Sequence, residues 1–202
     1  MLELFDNGIV YRNEVFSSLD SIVFSKHEEI SITDFCSDLY FHPIQLDITA
    51  AHKRNLIFEK TLSSYNFNLQ KYHWEVFQHE KMDRQQYILI LIPKKRLNHL
   101  LDNIKKNKLK VKKHEPYFMT VLKSQFIQGF QGIVLVDEGA LLRVVYMEAS
   151  KIAYYRVIPR FNFSAIDKSI LTSFPWEKEK VFFGLYPQRL KRIEAWINRE
   201  FT

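Results

Sequence analysis

The stretch Gly132-Ile-Val-Leu-Val-Asp-Glu-Gly-Ala-Leu-Leu-Arg-Val-Val-Tyr146 holds two apolar runs separated by an acidic pair and a glycine. Short β-branched runs bounded by turn residues read as strands buried on both faces. Asp and Gly are ordinary turn residues, so Asp137-Glu138-Gly139 joins the two runs as a hairpin. A third run, Ile152-Ala-Tyr-Tyr-Arg-Val-Ile-Pro159, extends the pattern. The expectation is three strands, at about 132–137, 140–148 and 151–158. Beyond them, Lys180-Val-Phe-Phe-Gly184 reads as a strand. A helix follows from about Gln188, with Leu190, Ile193, Trp196, Ile197 and Phe201 on one face.

Working back toward the start, Glu115-Pro116 opens a helix whose apolar stripe is Phe118, Val121 and Leu122, with Pro in its first turn. Leu109–Lys113 reads as a short strand. Leu97, Leu100, Leu101 and Ile104 lie at helical spacing. Tyr87–Ile92 is a buried strand ended by Pro93, and Tyr72–Phe77 alternates as a strand does. A helix over about 48–62 is capped by Asp47 or Thr49, with Ile48, Ala51, Leu56 and Leu62 inward. Ser21–Phe24 and Ile30–Ile32 look like short strands, and Thr33–Phe41 fits either helix or strand. Residues 2–16 read as one hairpin, with Asn7-Gly8 supplying the positive-φ turn. The order of elements is mixed α/β in two lobes. Residues 1–130 form the first lobe with an inserted helix-strand region, and 131–202 form the second.

The chain has 202 residues, 47% apolar and 15% aromatic, enough for a real core. Its net charge of +6 is mildly basic and no nucleic-acid signature by itself. A single cysteine, Cys36, excludes an intrachain disulfide framework and a cysteine-based zinc site. No apolar run approaches the roughly 20 residues that span a bilayer, and no signal segment opens the chain. A soluble, intracellular protein is expected.

Few motifs carry chemistry. Neither glycine-rich phosphate fingerprint is present. His27-Glu28 is followed by Ser31 where a zincin needs histidine, and His73 and His79 would share a face only in a strand that Glu80-Lys81 ends. No metal is expected. Asp137 and Glu138 are adjacent, so on a strand they point to opposite faces and do not form an acid/base dyad. Between Lys94 and His114, nine bases stand against Asp102 alone, a local charge of +8. Such a stripe suits an anionic membrane surface, nucleic acid or an acidic partner. The plainer reading is a solvated helix face and an edge strand blunted by lysines. The interleaved residues are aliphatic, whereas nucleic-acid readers more often interleave aromatics.

From Asn55 to Phe126, and again from Gly132 to Pro159, the order of motifs resembles the PilM-type proteins of type IV pilus and DNA-uptake machines. It also resembles the cytoplasmic domains of type II secretion L proteins and of the bundle-forming pilus counterpart. These share the actin-like fold with the cell-division protein FtsA. The resemblance implies an actin-like, ribonuclease H-like, two-lobed α/β fold with mixed sheets flanked by helices, here lacking its first strand. In this family, phosphate sits between two Asp-x-Gly turns. Asp6-Asn7-Gly8 is followed directly by Ile9-Val10. Asp137-Glu138-Gly139 matches the second turn, but Ala140-Leu141-Leu142 replaces the Ser or Thr that would meet phosphate. The late Gly-Gly is reduced to Phe183-Gly184-Leu185. Polyphosphate needs backbone donors and small side chains.

The resemblance therefore implies a non-catalytic scaffold without cofactor. Its partners would be a bitopic inner-membrane platform protein, whose tail docks between lobes, and the secretion or pilus assembly ATPase. Lys105, Lys106, Lys108, Lys112 and Lys113 would stay solvated and face a membrane or an acidic partner. Location is cytoplasmic, peripheral to the inner membrane; a homodimer is compatible, and nucleic acid is not expected. Two alternatives stand. An active actin-like ATPase would use Asp137 and Gly139 at the Mg²⁺-bound phosphate, and a nucleic-acid module would use the stripe 94–114.

Overall fold

Residues 1–25, 27–46, 54–65, 67–159 and 168–201 are described by a computed structural model. The chain divides into two compact units, residues 1–78 with 84–114 and residues 79–83 with 115–202. The third helix thus clusters with the second unit, ahead of the boundary read from sequence after residue 130.

In the first unit, β1 (Leu2–Phe5) and β2 (Gly8–Tyr11) pair antiparallel across Asp6-Asn7. The left-handed turn lies one connection later, at Arg12 (φ 51°) and Asn13 (φ 67°), leading into β3 (Glu14–Phe16). The expected single hairpin is thus a three-stranded meander. Ser21–Phe24 is not a strand: a 3₁₀ turn covers Leu19–Ser21 and Val23 is exposed. β4 (Glu29–Asp34) runs parallel to β1, with Leu2 beside Ile32. The first strand of the fold is therefore present, contrary to expectation: β1 lies inside the sheet, with Leu2 fully buried.

The ambiguous stretch Thr33–Phe41 is neither one helix nor one strand: its two ends fall in β4 and in β5 (Tyr40–Gln45), and residues 35–39 form the connection between them. Next comes α1 (Arg54–Ser64), which turns Phe58 and Leu62 inward while Leu56 is exposed. The expected caps, Asp47 and Thr49, and the inward Ile48 and Ala51 lie outside the described residues. β6 (Tyr72–Phe77) and β7 (Gln86–Pro93) follow the sequence expectation, with β7 between β5 and β6 in an antiparallel three-stranded sheet. This central position explains why β7 is apolar without alternation. α2 (Lys94–Lys106) packs Leu100 and Ile104 against the first core, and β8 (Lys110–Pro116) completes the five-stranded order β3-β2-β1-β4-β8.

The second unit opens with α3 (Tyr117–Gln128), whose Phe118, Val121 and Leu122 are buried as the spacing predicts. β9 (Gly132–Asp137), β10 (Leu141–Glu148) and β11 (Lys151–Pro159) form the expected meander. A left-handed pair, Ala149 (φ 45°) and Ser150 (φ 67°), closes its second turn without glycine. β12 (Lys180–Gly184) runs parallel to β9, giving the order β11-β10-β9-β12. Gly132 starts β9 at φ 151°, where a Cβ would stand 2.4 Å from the Glu179 carbonyl oxygen. Only glycine lets the two strands meet this closely. α4 (Pro187–Phe201) then lays Ile193, Trp196 and Ile197 on the sheet, against Leu135, Leu142 and Val144.

Candidate functional site

The second-unit turn Asp137-Glu138-Gly139 joins β9 to β10. Asp137 ends a strand buried along its whole length, so its carboxylate is fully buried as well. Its Oδ1 accepts the Gly139 N–H at 3.1 Å, and Gly139 holds φ at 84° to allow it. Its Oδ2 lies 3.0 Å from Nε of Arg189, on the first turn of α4, an ion pair without hydrogen-bond alignment. Burial raises the Asp137 pKa against the opposing pull of Arg189 and the Gly139 N–H. Gly184 lies beside Asp137 in the sheet, and a Cβ there would stand 3.0 Å from the Asp137 Cβ and carbonyl oxygen and from Leu190.

Glu138 turns the opposite way, as adjacent residues must. Its Oε2 accepts Nε of Arg143 at 2.5 Å, and Arg143 also donates to the Tyr155 hydroxyl at 2.8 Å. The guanidinium lies over the Phe118 ring, 5.3 Å from its centroid. Glu138 and Arg143 are 4% and 1% exposed, so the pair is buried. The residues at the positions of phosphate-binding hydroxyls are no donors. Leu141 is buried and Leu142, fully buried, belongs to the core.

In the first unit, Asp34 ends β4 and is 1% exposed. It accepts from Arg96 on α2, from the Cys36 N–H at 3.1 Å, and faces His114 Nε2 at 3.2 Å. Burial acts to raise its pKa, but His114 and the Arg96 guanidinium outweigh it and hold the carboxyl below its usual range. Arg96 also reaches Asp38 at 3.2 Å. Asp34, Arg96 and His114 line a cavity of about 320 Å³ together with Leu4, Leu100 and the turn Asp6-Asn7-Gly8.

Donor atoms of Asp6, Cys36 and Asp38 lie within 4.8 Å of one another, yet the set is a poor metal centre. Burial and the Asp34 charge push the Cys36 thiol up, so it does not supply thiolate. Burial pushes the Asp38 carboxyl up despite the Arg96 guanidinium, which Asp38 shares with Asp34.

The lysines predicted as a surface are all exposed: Lys105 and Lys106 on α2, Lys108 in the turn, Lys112 and Lys113 on β8. Part of their charge is answered locally. Lys106 pairs with Asp20 at 2.8 Å, and Lys112 with Glu29 at 2.7 Å beside Lys110. Sequence reasoning brought Asp137 and Gly139 together correctly as one turn. It missed Arg189, the Glu138–Arg143 pair and the Asp34–Arg96–His114 network. Arg143, a lone charge inside the apolar run Leu141–Tyr146, was the available signal for the second. In the sequence Arg96 stands out only as part of the basic stripe.

No family model matches the chain, and no curated protein matches it. Solved structures do. The cytoplasmic domain of EpsL, an inner-membrane component of the Vibrio cholerae type II secretion system, is similar at TM-score 0.51 and 12% identity, over 92% of this chain and 82% of that one. A Bacteroides thetaiotaomicron protein of unknown function with an actin-like ATPase fold is similar at TM-score 0.55 and 10% identity, over 98% and 87%. The chain has the actin-like fold. A structure of the PilM-PilN type IV pilus biogenesis complex is a third likeness, at TM-score 0.53 and 10% identity, over 85% and 65%. Each unit has an Asp at the start of its first hairpin connection, Asp6 directly after β1 and Asp137 as the last residue of β9. Only the second of these carboxylates is sealed by a guanidinium. No helix among the described residues is long and apolar enough to cross a membrane.

Proposed function

We propose that this chain is a non-catalytic, cytoplasmic scaffold of an inner-membrane platform of the type IV pilus or type II secretion kind. In this reading it docks the cytoplasmic tail of a bitopic membrane protein and engages the assembly ATPase. The observation that carries it is the enclosed Asp137. An actin-like ATPase needs this carboxylate open to a metal-bound phosphate, and here Arg189 supplies the positive charge instead. The Leu141 and Leu142 side chains offer phosphate no hydrogen bond and are buried. Actin-like structures of secretion and pilus components support the assignment of setting.

Lys105, Lys106, Lys108, Lys112 and Lys113 serve the same reading as a solvated basic face toward an anionic bilayer or acidic partner. Each lysine near an anionic surface contributes about 1 kcal/mol, within a Debye length of about 8 Å at physiological salt. The local ion pairs to Asp20 and Glu29 reduce that sum.

The test is co-sedimentation with liposomes that do or do not carry a bitopic platform protein of the same cell. Recovery should depend on the tail. Replacing all five lysines by Gln should lower recovery on anionic lipid while leaving it unchanged on neutral lipid. Equal recovery with and without the tail would sink the docking role.

A further inference from the structure

The scaffold reading leaves the cavity of about 320 Å³ without a role. Every residue that lines it belongs to the first unit. Sites for small molecules run from about 300 to 1,000 Å³, so this one suits a single compact ligand. Its lining divides by chemistry. Leu4, Leu19, Leu97 and Leu100 supply an aliphatic wall, and all but Leu97 are fully withdrawn from water. The polar part holds Asp6 and Asp34, with Arg96 and His114 on Asp34.

Charge at the polar part does not balance. Asp34 and Asp38 share the guanidinium of Arg96. Asp6 accepts the Ser37 N–H at 2.8 Å, and donor atoms of Asp6 and Asp38 lie within 4.8 Å of each other. Among the described residues, no lysine or arginine pairs with Asp6. Three carboxylates thus stand against one guanidinium, a local charge of −2 with the histidines neutral. Two neighbours register the excess. Burial raises the Cys36 thiol, and the charges of Asp34 and Asp6 raise it further. Asp38 is raised first by burial and then, against Arg96, by the same two carboxylates.

Opposite charge is what the polar part lacks, and an alkyl stem is what the leucines fit. An anionic ligand would be repelled by Asp6 and Asp34. A hard metal ion wants a shell of oxygens and gains nothing from an aliphatic wall.

We infer that the cavity binds an aliphatic amine or guanidine, as a free small molecule or as the end of a lysine or arginine side chain. The stem lies along Leu4, Leu19, Leu97 and Leu100, where losing water is favourable. The head donates charge-assisted hydrogen bonds to Asp6 and offsets the carboxylates behind it. This inference is independent of the scaffold reading, since it concerns a ligand held within one unit.

Isothermal titration calorimetry on the whole chain tests it. Agmatine, an aliphatic guanidine that also carries an amine, should bind saturably with one site per chain. Butyrate and butanol, with a similar stem but no positive head, should not bind. Asp6 is exposed, so Asp6→Asn should leave the circular dichroism unchanged while weakening agmatine by about tenfold or more, as loss of a hydrogen bond between charged groups does. Leu97→Phe fills the wall from a half-buried position and should weaken agmatine while leaving Asp6 in place. Nα-acetyl-arginine amide separates the two sources: binding as tight as that of agmatine assigns the cavity to a side chain, and binding of agmatine alone assigns it to a free cation. The inference is overturned if neither cationic probe binds, if butyrate binds as well as agmatine, or if both variants bind agmatine as the wild type does.

Discussion

Arg143→Ala is expected to destabilise the protein by about 3–5 kcal/mol, because it strips a buried carboxylate of its guanidinium. Glu138 and Arg143 are both withdrawn from water, and their 2.5 Å contact is what offsets the desolvation of each. The same substitution removes the Tyr155 hydroxyl's donor and the guanidinium plane over Phe118. The cost is therefore not that of one surface ion pair, for which about 0–1 kcal/mol is usual. Replacing both partners, as Glu138→Leu with Arg143→Met, should recover most of the loss, since no charge is then left behind. Urea unfolding of the two variants separates the cases. A single-variant loss under about 1 kcal/mol would show that Glu138 reaches water or another cation.

Ile193→Ala should cost about 2–4 kcal/mol, the range for truncating a fully buried aliphatic side chain. Ile193 is fully buried on α4 and belongs to the cluster of Leu135, Leu142 and Trp196. The exposed neighbour Lys191 is the control: Lys191→Ala should change stability by less than about 0.5 kcal/mol. If the two substitutions cost the same, α4 is not seated on its sheet as described.

Patterns confined to one element were legible in the sequence. The β9–β11 meander, β7 and the apolar face of α4 follow from period and run length alone. What escaped depends on distant partners or on turn chemistry. β1 reads as the start of an isolated hairpin, yet Leu2 is buried because β4, whose Ile32 lies beside it, closes over it. The left-handed turns fall at Arg12-Asn13 and Ala149-Ser150, where no glycine advertises them, rather than at Asn7-Gly8. Ile22 and Val23 look like strand but find no strand beside them.

At the site the same division holds. The Asp137-Glu138-Gly139 turn was readable, since its residues are adjacent. Its occupancy was not, because Arg189 lies far along the chain and reaches Asp137 only once α4 folds back. The Asp34 network is hidden likewise, being assembled from β4, α2 and β8. No spacing rule could have drawn these residues together.

The proposed scaffold role requires this actin-like chain to work without nucleotide. The direct measurement is its thermal unfolding midpoint, with and without Mg-ATP. A ligand that binds only the folded state raises stability by about 2.7 kcal/mol at a hundredfold excess over its Kd. With Asp137 paired to Arg189, the midpoint should be the same in both conditions. A saturable rise with Mg-ATP that disappears in Asp137→Ala would contradict it.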